Sequence, residues 1–517
     1  MSVAAAIAQC LWATGNVPSA VRFARALGNP EGVQERWLQR RLRVDAESEF
    51  GREHDFAGIC NRRDFVRRVP LRDWQEHAGW IERIRGGGQG VLTSERVGHL
   101  APTSGSSGAR KLIPFNASLH RAFACAVGAW MWDLIRLEPG ILGGPAYWSI
   151  SPLAQVEEGV QGGVPVGFAE DADYLGGWKA GLTRLLMAVP SGIRHERNPE
   201  VFWRRTASLL LERRDLRLIS VWHPSFLDLI VDAARRHWDG ILDGLSAPRA
   251  RDLRAAGEDN PGGWWPSLRV ISAWGDLAAE PGLREVARRF PRCRVQAKGL
   301  LATEAVVTIP WRGGYPLAVT SHYFEFLTPG GDALAAHEVE RGGTYEVVVT
   351  NGGGLWRYRL GDMVECTGFL GRTPTLRFLG RAGNTSDLCG EKLAEPFVAA
   401  CLGELWPEGA GRPRVAFLRP WLSSGGGRGY FVVTDEVLGE EVIGRLDALL
   451  RRNPHYDLAR RLGQLEPLRI GVEPNAGFPG RPNDLRRLGD VKPMVLDSVV
   501  SEGGAGEGCV EEKVNKN

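Results

Sequence analysis

The sequence predicts an α/β fold in two parts, a large N-terminal domain and a smaller C-terminal α/β domain. Three observations predict it. At 517 residues the chain is too long for one ordinary hydrophobic core. Residues 216–222 and 268–274 read as buried strands, each followed by a helical stretch, the alternation that builds an α/β sheet. Between 299 and 380 short β-branched and aromatic runs are separated by glycines, as in antiparallel strands of a small barrel or a second sheet. The expected bounds are 1–380 for the large domain and 395–500 for the small one, with residues 381–394 between them. The Gly-, Glu- and Lys-rich residues 501–517 lack periodicity and are expected to be a disordered tail.

Taken in order, the first ninety residues read mostly helical and end at Gly86-Gly87-Gly88. An extended segment at 96–100, a polar loop at 103–108 and a second extended segment at 111–115 follow. Asn116 or Ser118 is placed to cap the next helix. In that helix Leu119, Phe123, Val127, Trp130 and Leu134 recur at steps of three and four, so one face is apolar, which by default is core packing. Residues 345–350 and 355–360 read as strands of the second sheet. In the small domain a hairpin, 414–418 with 430–434 around glycines 425–427, precedes helices and a strand at 468–472.

Composition excludes more than it identifies. Hydrophobic content of 43% and charged content of 24% are those of a folded globular chain. A net charge of +3 from 64 basic and 61 acidic residues gives no global field to recruit nucleic acid or an anionic membrane. Eight cysteines stand apart, none in a Cys-x-x-Cys pair or at metal-ligand spacing, which fits free thiols in a reducing compartment. Residues 2–21 are uncharged but lack the basic start and unbroken apolar stretch of a secretory signal; an amphipathic helix is the better reading. No other run approaches the ~20 apolar residues of a membrane span, so a cytoplasmic protein is expected.

The sharpest chemical signal is Thr103-Ser104-Gly105-Ser106-Ser107-Gly108 with Lys111 just beyond. Glycines let backbone N–H groups converge on an anion, hydroxyls add donors, and the lysine adds positive charge. It is not a Walker loop, because the spacing differs and an extended segment follows it. Alone, such a hexapeptide is more often a flexible loop.

With its neighbours, APTSGSSGARKLIPF (101–115) resembles the phosphate-binding loop of the Gretchen Hagen family of acyl acid amido synthetases. These are the auxin- and jasmonate-conjugating enzymes of plants and their bacterial relatives, within the adenylate-forming, firefly-luciferase-like superfamily. The resemblance implies ATP and Mg²⁺, a small carboxylic acid, an amine (often an amino acid), and a mobile C-terminal domain. Acid and ATP would give acyl-AMP and pyrophosphate, after which the amine displaces AMP. KGLLATEAVVTIP (298–310) is similar to the segment ending in a hydroxyl residue and glutamate, here Thr303 and Glu304, the glutamate holding Mg²⁺ against the phosphates. Without its company Glu304 reads as a surface glutamate.

GLWRYRLGDMVECTGF (354–369) is similar to the family's Tyr-Arg-x-Gly-Asp segment, which makes Tyr358 a nucleotide contact and Asp362 an acceptor for the ribose hydroxyls. By alternation Trp356, Tyr358 and Leu360 share one strand face, so plain core is an equal reading for Tyr358. Asp362 follows Gly361, where the strand is expected to give way to a turn; its bland reading is an Asx turn. LRFLGRAGNTSDLCGEKL (376–393) looks like the interdomain hinge, with Arg381 near the ribose and Gly380, Gly383 and Asn384 supplying backbone freedom. A Gly/Asn loop between strands would look the same. ISAWGD (271–276) stands where the family has its adenine-side loop, making Gly275 a weaker candidate.

LGDVKPMVL (488–496) resembles the closing lysine segment, so Lys492 is the residue expected to assist adenylation by stabilising charge on the transferring phosphoryl centre. Ala109 in place of a loop glycine, and the hydroxyl-poor KGLLATEA, look like the bacterial branch. An acyl-CoA ligase, or a donor of acyl-AMP to a carrier thiol, would share these motifs. A catalytically silent nucleotide-binding protein is the alternative from another class.

Overall fold

The computed structural model describes residues 3–102, 111–149, 163–167, 186–196, 198–275, 279–383, 385–386, 388–389, 391, 393–406, 413, 415–423, 427–461, 464–473, 494–497 and 501–502. Two compact units divide the chain, parting between Phe378 and Leu379; residues 279–282 go with the second. The fold is a mixed α/β architecture with several sheets, as the alternation of patterns predicts.

The first unit opens with six helices: α1 (Val3–Thr14), α2 (Val17–Ala26), α3 (Pro30–Asp45), α4 (Glu49–Glu53), α5 (Arg62–Arg68) and α6 (Trp74–Arg85). Side chains start several of them. Asn29, Ser48 and Asn61 each accept a backbone N–H in the first turn, and Asp73 with Glu76 forms a reciprocal capping box on α6. Leu38, Leu42, Phe50, Phe56 and Phe65 bury their side chains together around the Trp356 indole. Each such burial stabilises by roughly 1.5–3 kcal/mol. Beneath them the buried Arg41–Asp45 pair is completed by Thr93 and Glu95.

Strand β1 (His99–Pro102) and strand β2 (Leu112–Phe115) form an antiparallel pair that brings Pro102 opposite Leu112. Helix α7 (Ala117–Leu137) follows directly. Asn116 is its cap, accepting Leu119 N–H at 2.9 Å, so of the two expected caps it is the one used. Along the expected apolar face Leu119, Phe123, Trp130 and Leu134 are buried. At Gly128 an added Cβ would come within 2.9 Å of Asn16 Oδ1, so the glycine permits close approach of the two segments.

Four parallel strands form the first sheet in sequence order: β3 (Ala146–Trp148), β4 (Leu218–Ser220), β5 (Val270–Ala273) and β6 (Arg294–Ala297). β4 and β5 lie inside the two predicted strand runs. Helices Pro224–Arg236 and Glu280–Arg289 follow them. Phe202, Leu210, Phe226, Ile230, Trp264 and Ile271 belong to the core packed on this sheet.

Residues 299–380 form the second of the two expected forms, an open antiparallel sheet ordered β11-β10-β9-β7-β8. Its strands are β7 (Tyr323–Leu327), β8 (Ala333–Ala335), β9 (Thr344–Thr350), β10 (Tyr358–Leu370) and β11 (Thr373–Arg381). One sequence expectation is corrected here. The strand does not stop before Asp362; β10 runs on to Leu370 and absorbs the Gly-Asp step as a break in register between Arg359 and Met363. Gly361 makes this possible with φ +77°, a left-handed conformation that suits glycine.

The second unit carries short strands β12 (Thr385–Ser386) and β13 (Leu393–Ala394), then a four-stranded sheet. The hairpin β14 (Ala416–Leu422) with β15 (Arg428–Thr434) is flanked by β16 (Arg469–Val472) and β17 (Ser501–Glu502), both parallel to their neighbours. Helices Glu395–Leu405, Glu440–Leu450 and Pro454–Arg461 contribute to its core with Phe417, Leu418, Tyr430 and Val432. Buried Glu391 accepts N–H bonds from Leu388 and Cys389 at 2.8 Å each, and the Tyr430 hydroxyl.

Candidate active site

The predicted site begins at the β1–β2 pair. Thr103, Ser104, Gly105, Ser106, Ser107 and Gly108 lie outside the described residues, as does Lys492. What is described is the frame on either side: Pro102 and Leu112 paired across the two strands, then the half-buried Lys111 and fully buried β2.

Against this frame lies the loop Asn351-Gly352-Gly353-Gly354. An added Cβ on Gly353 would sit 2.3 Å from Pro114 O, and one on Gly352 would sit 2.9 Å from Ser118 Cβ. Only glycines let this backbone rest on the end of β2 and the start of α7. Asn116 Nδ2 donates to Gly352 O at 2.6 Å, tying the helix cap to the loop. Asn351 closes the loop itself, its Oδ1 accepting N–H groups of Gly353 (2.9 Å) and Leu355 (3.1 Å). Its Nδ2 donates to the carbonyl of Glu304 at 2.8 Å.

Thr303 and Glu304 occupy the tip of a two-residue turn. Ala302 and Ala305 exchange backbone hydrogen bonds of 2.9 and 3.3 Å, and Leu301 bridges Val306 just below. His322 supports one arm, its Nε2 taking the Val306 N–H at 3.2 Å; burial drives the His322 pKa down to about 3, so the ring is neutral. Two asparagine amides therefore stitch together the 301–306 turn, the 351–354 loop and the segment leaving β2. Glu304 is itself buried, so the surface-residue reading does not hold. Among the described residues no three His, Cys, Asp or Glu side chains group as a metal site. A single carboxylate fits Mg²⁺, which usually keeps waters and phosphate oxygens as its other ligands.

Tyr358 is fully buried, bridges Arg72 through the backbone, and meets His77 edge-on at 5.5 Å. Its surroundings fit the core reading. Its neighbours diverge: Arg357 is buried, at φ 44°, with guanidinium bonds to Glu325 of 2.8 and 3.1 Å, whereas Arg359 pairs with Glu346. Asp362 is wholly buried in the β10 irregularity. Arg381 ends β11 half-buried, in the second unit, between Gly380 (φ +129°) and Gly383 (φ +83°); Asn384 lies outside the described residues.

The carboxyl ends of the parallel strands are the usual ligand position in such sheets. Trp222 follows β4, Trp274 and Gly275 follow β5, and Lys298 follows β6. Trp274 N–H bonds Trp222 O at 2.9 Å and Lys298 N–H bonds Ala273 O at 2.8 Å, so the exits run side by side. A Cβ on Gly275 would lie 2.6 Å from Ala297 Cβ, so packing alone explains a glycine there. An apolar cavity of about 40 Å³ near Gly144, Ala146 and Leu218 is too small for an organic acid.

Sequence reasoning missed Asn351, the second role of Asn116, and Lys298. The signal for the first was present: an asparagine before three glycines marks backbone that approaches something closely.

Comparison with known proteins decides the family. The description "GH3 family N-terminal domain" matches residues 20–251, and "GH3 family central domain" matches residues 315–381. The chain belongs to the GH3, or Gretchen Hagen, family. Indole-3-acetic acid-amido synthetase GH3.4 of Arabidopsis thaliana is 22% identical over 412 residues, 68% of this chain and 67% of that protein. Putative indole-3-acetic acid-amido synthetase GH3.10 of Oryza sativa subsp. japonica is 24% identical over 475 residues, covering 83% and 91%. Among solved structures, AtGH3.15 acyl acid amido synthetase in complex with 2,4-DB superposes at TM-score 0.77 with 15% identity, covering 95% of this chain and 99% of that one. A 2-hydroxyisobutyryl-CoA ligase in the postadenylation state superposes at TM-score 0.52 with 14% identity, covering 92% and 91%. The chain thus shares the fold of these two structures, the architecture that the resemblance implies.

Proposed function

We propose that this GH3-family chain is an ATP-dependent acyl acid amido synthetase. It is a ligase that works through an acyl-adenylate. A carboxylate oxygen of the acid attacks the α-phosphorus of ATP, the new P–O bond forms, and the bond to the bridging oxygen breaks to release pyrophosphate. An amine nitrogen then attacks the acyl carbon, the carbonyl–AMP bond breaks, and the nitrogen loses a proton as AMP leaves.

In this reading Thr103–Gly108 and Lys111 cradle the phosphates, Thr303 adds a hydroxyl, and Glu304 holds Mg²⁺. Asp362 and Arg381 serve the ribose, Tyr358 is core packing in place of the nucleotide contact the motif offers, and Gly275 is on the adenine side. Lys492 stabilises the phosphoryl centre during adenylation. A turn of the 395–500 domain about the 381–394 hinge gives the second half-reaction its own neighbours. The acceptor is an amino acid, the chain is a cytoplasmic enzyme, and Ala109 with the KGLLATEA stretch puts it in the bacterial branch. Among the described residues no helix is long and apolar enough to cross a membrane.

The observation that carries the reading is the pair of asparagine amides, Asn351 to Glu304 and Asn116 to Gly352. They hold a buried acidic turn in one network with the strand that leaves the glycine- and serine-rich loop. Such a network is what a metal-assisted phosphate site needs, because the carboxylate must be fixed before the nucleotide arrives. The test is acid-dependent ATP–pyrophosphate exchange over a panel of acids, followed by mass spectrometry of products with mixed amino acids or with CoA. Amide products with amino acids are expected. Thioester products alone would replace the amide reading, and ATP binding without exchange for any acid would overturn catalysis.

A further inference from the structure

The motifs singled out in the sequence leave Glu395 without a task. It is the first residue of the helix Glu395–Leu405, which begins where residues 381–394 end, and it is buried with 2% exposure. An acidic residue in a first turn is favoured by the positive end of the helix dipole. This one also reaches across the second unit. Its Oε1 accepts the Val495 N–H at 2.9 Å, a contact between positions 100 residues apart in the chain.

Val495 belongs to the segment that carries Lys492, at the point where that segment meets β14. The Val495 carbonyl accepts Leu418 N–H at 2.9 Å, Asp497 N–H donates to Leu418 O at 2.7 Å, and Leu496 bridges Leu418 in parallel. The Val495 and Leu496 side chains are buried in the core of the unit with Phe417, Tyr430 and Val432. Arg419 Nε bonds Asp497 at 3.3 Å. The strand ladder thus fixes residues 495–497 from the Val495 carbonyl onward, and the Glu395 carboxylate takes the N–H on the side nearer Lys492. Lys492 stands three residues before Val495, an extended reach of at most about 10 Å. One of the intervening residues is Pro493, whose ring removes a backbone rotation from that short link.

We infer that Glu395 is a positioning residue for Lys492, its carboxylate fixing the Val495 amide from which the lysine's short link departs. This rests on the adenylation reading above and adds a residue to it. A lysine that serves a phosphoryl centre must bring its ammonium within hydrogen-bond reach, and a misplacement of about 1 Å costs on the order of a hundredfold in rate. Without the carboxylate the link gains freedom at its anchored end, and the ammonium spends less time in place. Only the half-reaction that uses the lysine depends on that anchor. Attack of an amine on a preformed acyl-adenylate does not.

The test uses the full chain and compares the two half-reactions, with the acid that exchanges fastest in the panel above and its synthetic acyl-adenylate. Glu395→Ala should lower kcat for acid-dependent pyrophosphate exchange by at least about tenfold, with KM for ATP within about twofold. Amide formation from the acyl-adenylate and mixed amino acids should stay within about twofold of wild type. Glu395→Gln keeps an oxygen that can accept the Val495 N–H, and should recover most of the exchange. On a Lys492→Ala background Glu395→Ala should cost less than about a further twofold, as for two residues that act through one contact. Hydrogen exchange read by mass spectrometry should quicken at residues 494–497 in Glu395→Ala and not in Glu395→Gln. Wild-type pyrophosphate exchange in Glu395→Ala, an equal loss in both half-reactions, or full additivity with Lys492→Ala would each overturn the assignment; the equal loss would mean that Glu395 serves only the fold of its unit. Failure of the two readings is distinguishable. No pyrophosphate exchange by the unaltered chain with any acid removes adenylation, and the lysine's task with it. Exchange by the unaltered chain that Glu395→Ala leaves at full rate removes Glu395 alone and leaves adenylation standing.

Discussion

The most exacting consequence concerns Asn351. Its side chain makes three hydrogen bonds at a position with no exposure: to Glu304 O at 2.8 Å, from Gly353 N at 2.9 Å and from Leu355 N at 3.1 Å. Asn351→Ala leaves one carbonyl and two N–H groups without these partners. At about 1 kcal/mol for each net bond, and more where no water replaces it, the loss is about 3–5 kcal/mol. In a unit of several hundred residues that lowers Tm by only about 4–6 °C. Asn351→Asp separates the two jobs of the side chain. Its carboxylate still accepts from Gly353 and Leu355, but its second oxygen faces the Glu304 carbonyl in place of a donor, at a position with no exposure, so the acidic turn is released and a charge is buried without a partner. Calorimetry should therefore show a Tm shift for Asn351→Asp at least as large as for Asn351→Ala. Pyrophosphate exchange should show a similar rise, about tenfold, in the KM for Mg-ATP in both. An Asn351→Asp variant with wild-type KM would refute the claim that this amide sets the position of Glu304. An Asn351→Ala variant melting within about 1 °C of wild type would refute the network itself.

Three further predictions follow from the same geometry and motifs. Lys492→Ala should cut acid-dependent pyrophosphate exchange by about a hundredfold or more, the scale of losing one donor to developing charge; an unchanged rate removes Lys492 from adenylation. Asp362→Ala should weaken ATP binding measured by calorimetry, and untouched affinity would show that the ribose role is wrong. The third concerns pH. Burial holds His77 and His99 near pKa 4 and His322 near 3, each below the unfolded value of 6.5. Between those values the unfolded chain binds the proton and the folded chain does not. Stability is thus fully present above pH 6.5 and lost as pH falls, by roughly 1.4 kcal/mol per pH unit for each histidine. Urea titrations at pH 7, 6 and 5 should record this slope, and a flat profile would contradict the burial of these rings.

How much of this was legible in the sequence depends on the kind of interaction involved. Strands β4 and β5 were readable because their residues are buried on both faces and form short apolar runs. β6 was missed because its residues, Arg294 to Ala297, are exposed to half-buried and carry no such run. Asn116 was readable as a cap because capping is local, three residues from donor to acceptor. Its bond to Gly352 spans 236 residues of sequence and that of Asn351 to Glu304 spans 47, and nothing in local pattern reports such distances. The Gly361-Asp362 step was read as the end of a strand, since glycine weakens strand interiors. Pairing with β9 on both sides of the step outweighed that weakness, and the chain kept its strand by breaking register instead.

Lys298 shows where pattern reading stops for a different reason. A lysine that opens an apolar stretch looks, in one dimension, like the solvated end of a strand, because lysine is rarely buried without a partner. What distinguishes it is the convergence of three remote pieces of chain: Trp130 on α7, Trp222 beyond β4, and Lys298 beyond β6. The parallel order β3-β4-β5-β6 brings the last two to the same end of one sheet. The bond from Trp130 to Gln296 then holds the third against it. A cation left in that setting destabilises the folded state while no anion is present. From the depressed pKa, the penalty is full below pH 7 and fades as pH rises toward 10.5. Lys298→Met should therefore raise Tm at pH 7, where the cost of burying the ammonium is at its full value. A lower Tm in Lys298→Met would mean that the indole contacts of the lysine outweigh the cost of burying its charge.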